Sequence, residues 1–326
     1  MNLLEIKELK VDYTTKSGVS GETKLVHAIN GINLGVRRGE ILAVAGESGC
    51  GKSTLAKAIM KLVDIKNGEI IFQGTNSTAL NSIKEIRQFY QKVQMVFQNP
   101  YSSLNPKMKI GSILKEPLLI NKKLSSQEIT RIVEEKISQV GLDTSVLDKY
   151  PHEFSGGQRQ RIAIARALIL EPELIIADEP VSALDVSIQA QIINLLKSLK
   201  ENLGLTFIFI SHDLSVIKYI SDRIAVMYLG EIVEIGKTSE IFDSPKHPYT
   251  QALLSSVPQI GSKTEDTTIQ LEGELPSAEK LPSGCKFHTR CPYVMDKCKD
   301  KIPEEHEFSL SHRCKCFLYT NENSMI

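Results

Sequence analysis

Residues 154–158 read Phe-Ser-Gly-Gly-Gln, and further along the chain residues 174–179 read Leu-Ile-Ile-Ala-Asp-Glu. Serine is a good helix cap, and the two glycines after it leave room for an anion at the start of the next helix. The second stretch is an apolar run of strand length that ends in two carboxylates. The pair indicates a nucleotide-hydrolysing α/β domain, provided that the chain also contains a phosphate loop.

Residues 46–54 supply that loop, because Gly-Glu-Ser-Gly-Cys-Gly-Lys-Ser-Thr matches GxxxxGK[ST] in full. An apolar run at 41–45 precedes it, and helical spacing follows at 52–63. The glycines let backbone N–H groups face phosphate oxygens, and the helix adds its positive N-terminal dipole. We expect Lys52 to neutralise the β and γ phosphates and Ser53 to ligate Mg²⁺. The expected ATP-binding residues of the loop are Gly46, Glu47, Ser48, Gly49, Cys50, Gly51, Lys52, Ser53 and Thr54.

Apolar runs and helical segments alternate along most of the chain. Strand-length runs lie at 93–97, 174–177 and 205–211, and helical segments lie at 158–169, 186–201 and 214–220. This order predicts an α/β fold with a mostly parallel sheet and helices on both faces. Residues 3–38 alternate more and predict an antiparallel β front. Residues 99–157 predict a helical insertion, with helices at 110–120 and 127–140. We therefore divide the chain into a nucleotide-binding domain at 1–257 and a linker with a cysteine-rich region at 258–326.

Composition and charge restrict the partners and the cellular location that we expect for the chain. The chain has 326 residues, with 39 Lys and Arg against 39 Asp and Glu, so no bulk positive charge suggests nucleic acid. No stretch approaches the roughly 18 apolar residues of a spanning helix, and the first residues do not form a secretory signal. We expect a cytoplasmic chain that reaches a membrane only through a partner.

The combined motifs resemble those of the ATP-binding-cassette (ABC) ATPases, over roughly residues 3 to 256. The resemblance implies that Asp178 holds Mg²⁺ and that Glu179 polarises the attacking water as a general base. It implies that Gln98 touches the metal and that water, and that His212 contacts the γ-phosphate. Tyr13 stands where the family has an aromatic residue that stacks on adenine, and a surface or core tyrosine is the less favoured alternative.

In this family two cassettes pair head to tail, and each ATP lies between one phosphate loop and the other subunit's signature. The resemblance therefore assigns residues Ser155, Gly156, Gly157 and Gln158 to the partner's ATP. Residues 182–185, which end at Asp185, resemble the loop that crosses the dimer contact. The first signature residue is Phe154 where leucine is commonest, and we expect its side chain to pack rather than touch phosphate.

Two further segments, at 96–106 and 247–254, are similar to the oligopeptide and dipeptide importer subfamily. That resemblance implies an ATPase motor on the cytoplasmic face of the membrane, with two permease subunits, a sibling ATPase or second copy, and indirectly an extracytoplasmic substrate-binding protein. Nickel, glutathione or oligosaccharide import stays open. A soluble ABC ATPase acting on DNA or ribosomes is disfavoured, because the chain has one cassette and no sustained heptads between Lys52 and Ser155. An iron–sulfur regulatory protein would not require Gln98, Glu179 and His212 together.

The tail contains five of the six cysteines. Cys285, Cys291, Cys298 and Cys314 form the expected ligand set of a [4Fe–4S] cluster, which needs four thiolates and is present in some of the importer ATPases that this chain resembles. Zinc is an alternative, with His288, His306 or His312 as substitute ligands, although zinc usually has more closely spaced cysteines. Disulfides and plain apolar packing also stay open. Cys50 reads as a small loop residue, whose pKa a helix N-terminus would lower.

Overall fold

A computed structural model describes residues 2–16, 23–99, 103–255 and 273–320. In chain order its strands are β1 (Asn2–Lys16), β2 (Thr23–Arg37), β3 (Ile41–Ala45), β4 (Asn67–Phe72), β5 (Thr75–Asn76), β6 (Val93–Val96), β7 (Leu174–Asp178), β8 (Thr206–Ile210), β9 (Arg223–Tyr228), β10 (Glu231–Lys237), β11 (Glu305–Glu307) and β12 (Arg313–Lys315). Its helices are α1 (Lys52–Ile59), α2 (Ile83–Lys92), α3 (Ile110–Asn121), α4 (Ser126–Gln139), α5 (Gly156–Leu168), α6 (Val186–Leu203), α7 (Leu214–Ile220), α8 (Thr238–Asp243), α9 (Pro248–Ser255) and α10 (Asp296–Asp300). No described helix is both long enough and apolar enough to span a membrane.

The chain forms two units. One comprises Arg37–Glu40 and Ala79–Ile210 and contains the parallel strands β8, β7 and β6, in that order. Strands β7 and β8 are buried at every position, which confirms the expectation of central strands covered on both faces. Because the strands are parallel, their carboxyl ends share one edge of the sheet. Asp178 ends β7 at this edge.

Helices α3, α4 and α5 follow β6 before the chain returns to the sheet at β7. Helix α4 begins with a capping box, in which Ser125 Oγ accepts from the Glu128 N–H and the Glu128 carboxylate accepts from the Ser125 N–H. Most apolar side chains of α3 and α4 are buried, including Leu114, Val133 and Ile137, whereas Leu119 and Ile120 near the end of α3 are exposed. Helices α3 and α4 lie within a residue of the helices predicted for the insertion.

The second unit comprises Asn2–Val36, Ile41–Thr78 and the chain from Ser211 onward. Its front is a sheet of order β2-β1-β4-β5, in which β1 pairs antiparallel with β4. Its second group of strands has the order β11-β12-β10-β9-β3, with β3 parallel to β9 and the other pairs antiparallel. The cysteine-rich tail therefore adds β11 and β12 to the group of strands that contains β3. For this part of the chain the sequence predicted only a linker and a cysteine-rich region.

The same unit contains the phosphate loop between β3 and α1. Helix α1 is shorter than predicted, since it ends at Ile59 and Lys61 takes a positive φ of 53°. Below the loop lies a core that includes Ala43, Val226, Tyr228, Tyr249 and Phe287. Phe287 belongs to the tail, so the tail packs into the core that supports this loop.

Candidate nucleotide-binding site

The phosphate loop takes a conformation that only glycine permits. Gly46 has a φ of 150°, and a Cβ at this position would lie 2.3 Å from the Met227 carbonyl oxygen. Gly51 has a φ of 107°, and its Cβ would lie 2.5 Å from the Ala28 carbonyl oxygen. A side chain at either position would collide with backbone, which explains why the motif's glycines stand here.

Lys52 is nearly buried, at 5 % exposure, at the first position of α1. Its Nζ donates to the Gly46 carbonyl at 2.8 Å and to the Glu47 carbonyl at 2.9 Å, so the ammonium lies inside the curl of the loop. The first turn of α1 has no acidic residue that would offset the positive N-terminal end of the helix, which faces the loop. Lys52 and the helix end together form a strong anion-attracting centre.

Cys50 differs from its expected chemistry. The thiol is 1 % exposed, and burial raises its pKa more than the nearby Lys52 ammonium lowers it. The expectation that the helix N-terminus would lower this pKa is therefore wrong, because the side chain points into the protein. Cys50 behaves as a small apolar filler of the loop.

Two residues from distant parts of the chain hold Glu47, the second residue of the loop. The Glu47 N–H donates to Tyr249 Oη at 2.9 Å. Arg290 Nη1 donates to both oxygens of the Glu47 carboxylate, at 3.1 and 3.0 Å. Sequence reasoning missed both contacts, although the segment at 247–254 that contains Tyr249 had been singled out.

The predicted acidic pair lies at the end of β7. Asp178 is buried and Glu179 follows it with a positive φ of 45°, a conformation that costs a non-glycine residue about 1 kcal/mol or more. Hydrogen bonds hold this turn, because the Glu179 N–H donates to the Ile210 carbonyl and Ser182 Oγ donates to the Glu179 carbonyl. Gln98 Nε2 donates to Glu179 Oε2 at 2.8 Å, so the structure brings together two residues that the sequence singled out separately.

The signature serine caps α5. Ser155 Oγ accepts from the Gln158 N–H at 3.4 Å, and the Gln158 side-chain oxygen accepts from the Ser155 N–H at 3.1 Å. A Cβ on Gly157 would lie 2.5 Å from Ile188 Cγ2, so this glycine permits α5 to pack closely on α6. That packing is a reason for glycine that the anion-based interpretation did not include. Phe154 is buried, which confirms that its side chain packs.

The remaining predicted residues stand near the surface. Asp185 precedes α6 in an exposed loop, and His212 is exposed just after β8. Tyr13 is half-buried in β1. Exposure leaves Asp185 and His212 accessible to a ligand or to another protein.

The tail cysteines are partly or fully buried. Burial raises the pKa of Cys316 to about 12, and the thiols of Cys285, Cys291 and Cys298 are near enough to add to this rise. Cys314 lies in β12, where burial and then the Glu234 carboxylate raise its pKa. Within the described residues, no group of three or more His, Cys, Asp or Glu side chains is arranged to hold a metal ion.

Comparison with known proteins identifies the class. The ABC transporter family model matches residues 29–182. Among solved structures, the ATP-binding cassette MJ0796, in a dimeric post-hydrolysis state with ADP and phosphate, is 30% identical with a TM-score of 0.64 and covers 72% of this chain and 98% of its own. CbiO1 from Clostridium perfringens has the same identity and TM-score, and covers 74% and 91%. The fold and the site thus define an ABC-type ATPase.

Full-length relatives narrow the class further. A second family model, "Oligopeptide/dipeptide transporter, C-terminal region", matches residues 233–298. The oligopeptide transport ATP-binding protein AppF of Bacillus subtilis is 49% identical over 98% of both chains. OppF of Escherichia coli is 50% identical over 96% of this chain and 95% of its own, and the dipeptide transport protein DppF of Haemophilus influenzae is 48% identical over 97% and 96%. The chain belongs to the family of oligopeptide and dipeptide transport ATP-binding proteins.

Proposed function

We propose that this chain is the ATP-hydrolysing motor subunit of an importer for dipeptides or oligopeptides, attached peripherally to the cytoplasmic face of the membrane. The observation that carries the proposal is the match of residues 233–298 to the peptide-transporter C-terminal region, which lies beyond residues 29–182 that match the general ABC transporter model. Relatives named for peptide transport match along nearly the whole chain and support the same substrate class.

Each motif has a proposed role at ATP. Tyr13 stacks on adenine, and residues 46–54 hold the phosphates, with Lys52 at the β and γ positions. Ser53, Gln98 and Asp178 offer the oxygen ligands that Mg²⁺ prefers, and the bound ion would offset the phosphate charge. Glu179 accepts the proton of the attacking water, Gln98 touches the same water, and His212 contacts the γ-phosphate. The Gln98–Glu179 hydrogen bond supports placing these two side chains in one reaction.

Ser155, Gly156, Gly157 and Gln158 are proposed to bind the ATP of a second cassette. The start of α5 supports this role, because the first N–H groups of a helix have no intrahelical partner and the helix dipole attracts phosphate. The exposed loop that ends at Asp185 is proposed to cross the contact. The dimeric state of the related cassette MJ0796 supports a head-to-tail pair, formed with a sibling ATPase or a second copy.

The transport partners complete the proposal. Two permease subunits provide the membrane passage, and an extracytoplasmic substrate-binding protein delivers the solute. ATP closes the pair of cassettes and hydrolysis releases it, so the pair acts as a ligand-biased two-state element. Nucleic acid has no part in this cycle.

A reconstituted transporter tests the substrate class. The chain is combined in liposomes with the two proposed permease subunits and a substrate-binding protein, and uptake of labelled di- and oligopeptides is measured together with phosphate release. We expect peptides to be taken up and to stimulate hydrolysis, and Lys52→Ala to abolish both. Stimulation by nickel, glutathione or an oligosaccharide alone would overturn peptide import while leaving the ATPase assignment intact.

We further propose that the tail binds a [4Fe–4S] cluster, with Zn²⁺ as the competing occupant. Cys285, Cys291 and Cys298 are three of the predicted thiol ligands, and four thiolates are the donor set such a cluster needs. Cys314 is the fourth predicted ligand, and Cys316 lies two residues beyond it. The proposed role of the group is structural, because ATP hydrolysis transfers no electrons.

Cysteine variants separate these possibilities. Anaerobically purified protein is expected to be brown, with about four iron and four sulfide per chain. Cys285→Ser and Cys314→Ser should each lose this iron, whereas Cys50→Ser, a cysteine outside the tail, is the control and should keep it. Iron and sulfide analysis with visible absorbance reads the result, and circular dichroism checks folding. A colourless sample that contains zinc would reject the cluster.

A further inference from the structure

Glu47 places a carboxylate within the phosphate loop. Its side chain is 25 % exposed, beside the backbone that is proposed to hold a triphosphate. A free negative charge here would oppose the phosphates, since like charges repel strongly where water is partly excluded. The Arg290 guanidinium, whose side chain is only 6 % exposed, contacts both carboxylate oxygens and neutralises them.

Tyr249 holds the same residue through its backbone. Its hydroxyl accepts from the Glu47 N–H, and its ring is fully buried. The ring packs edge-on against Tyr228, with centroids 4.6 Å apart, and against Phe287 at 5.4 Å. This aromatic packing therefore fixes the position of the Tyr249 hydroxyl, which accepts the hydrogen bond from the Glu47 N–H.

Arg290 is fixed by the same aromatic group. Phe287 is 1 % exposed and contacts both Tyr228 and Tyr249. A backbone hydrogen bond of 3.0 Å runs from the Arg290 N–H to the Phe287 carbonyl, so the turn that carries Arg290 starts from a buried anchor. The tail thus presents a preorganised guanidinium to the loop.

We propose that Arg290 and Tyr249 are positioning residues for nucleotide binding. They hold Glu47 so that its carboxylate is neutralised and the loop backbone keeps the shape that accepts phosphates. Lys52 contributes to the same shape through the Glu47 carbonyl. The inference rests on the proposed binding of ATP at this loop, and it assigns the C-terminal region a direct part in that binding.

The expected effects follow from the contacts that each variant removes. Arg290→Gln leaves the Glu47 carboxylate unpaired and should weaken Mg-ATP binding about tenfold, the effect of losing a hydrogen-bonded charge partner. Tyr249→Phe keeps the ring but removes the acceptor of one N–H, and should weaken binding roughly fivefold. Arg290→Lys keeps the positive charge and should restore part of the loss. Arg313→Gln, which removes an exposed Arg–Glu pair of the same tail, is the matched control and should bind ATP normally.

A double-mutant cycle tests the inference on the full chain, with Mg-ATP affinity measured by calorimetry and folding by thermal melting. Because Glu47 is the proposed target, Arg290→Gln should cost far less in a Glu47→Gln background than in the unaltered chain. Equal effects in both backgrounds, or a lower melting temperature with unchanged affinity, would overturn the positioning role. Failure of the unaltered chain to bind Mg-ATP would overturn the proposed function and this inference with it.

Discussion

Glu179→Gln should bind ATP and form the closed dimer, yet hydrolyse ATP at least about 100-fold more slowly than the unaltered chain. Glutamine has nearly the shape of glutamate but cannot accept a proton from the attacking water. The strained backbone at Glu179 and its hydrogen bonds to the Ile210 carbonyl and Ser182 do not depend on the carboxylate, so the turn should persist. Single-turnover phosphate release measures the rate, and size-exclusion chromatography with ATP measures dimerisation.

Glu201→Gln is the matched control, because Glu201 is an exposed carboxylate near the end of α6. Its hydrolysis rate should equal that of the unaltered chain. Near-normal turnover by Glu179→Gln would reject the general-base role, and the proton would then have to leave by another route. Loss of ATP binding together with turnover would indicate a folding defect instead, which circular dichroism would detect.

Lys52→Ala should weaken ATP binding about 100-fold or more, the cost of losing more than one charge-assisted hydrogen bond to phosphate. The Lys52 ammonium already lies inside the loop, 2.8 Å from the Gly46 carbonyl and 2.9 Å from the Glu47 carbonyl. Phosphate oxygens are better partners for it than these neutral carbonyls. Calorimetric titration with Mg-ATP measures the affinity.

Lys57→Ala provides the comparison within the same helix, because Lys57 is exposed in the last turn of α1. That variant should retain the affinity of the unaltered chain. If Lys52→Ala also retained it, the loop at 46–54 would not be the phosphate site, and the proposed roles of Ser53 and Asp178 would fall with it.

Local patterns predicted much of the fold. The strand at 41–45 and the helix at 214–220 occur with the predicted bounds, because a continuous apolar run and a regular helical spacing are properties of the segment itself. Asp213 illustrates the point, since its carboxylate caps α7 by accepting from the N–H groups two and three residues later. Such signals are short-range and can be read from one sequence.

Long-range contacts could not be predicted in the same way. The two residues that hold Glu47 lie 202 and 243 positions from it, and no local pattern links positions so far apart. The pairing of β10 with β12 is a second example, because it places Glu234 opposite Cys314, which comes much later in the chain. The proposed catalytic residues could be singled out because each lies in a contiguous motif, whereas the contacts that hold the phosphate loop form only when the chain folds.

Because Phe287 packs against Tyr228 and Tyr249, it limits where the chain can be truncated or exchanged with segments of a relative. A truncation after α9 would remove Phe287 from its contacts with both tyrosines and Arg290 from the Glu47 carboxylate, so the shortened product would not be a minimal cassette. In hybrids that exchange C-terminal regions between relatives, residue 47, residue 249 and the tail should instead all come from the same parent protein. The junction of such a hybrid should therefore not lie in the linker, because a junction there would separate the tail from the residues that it contacts.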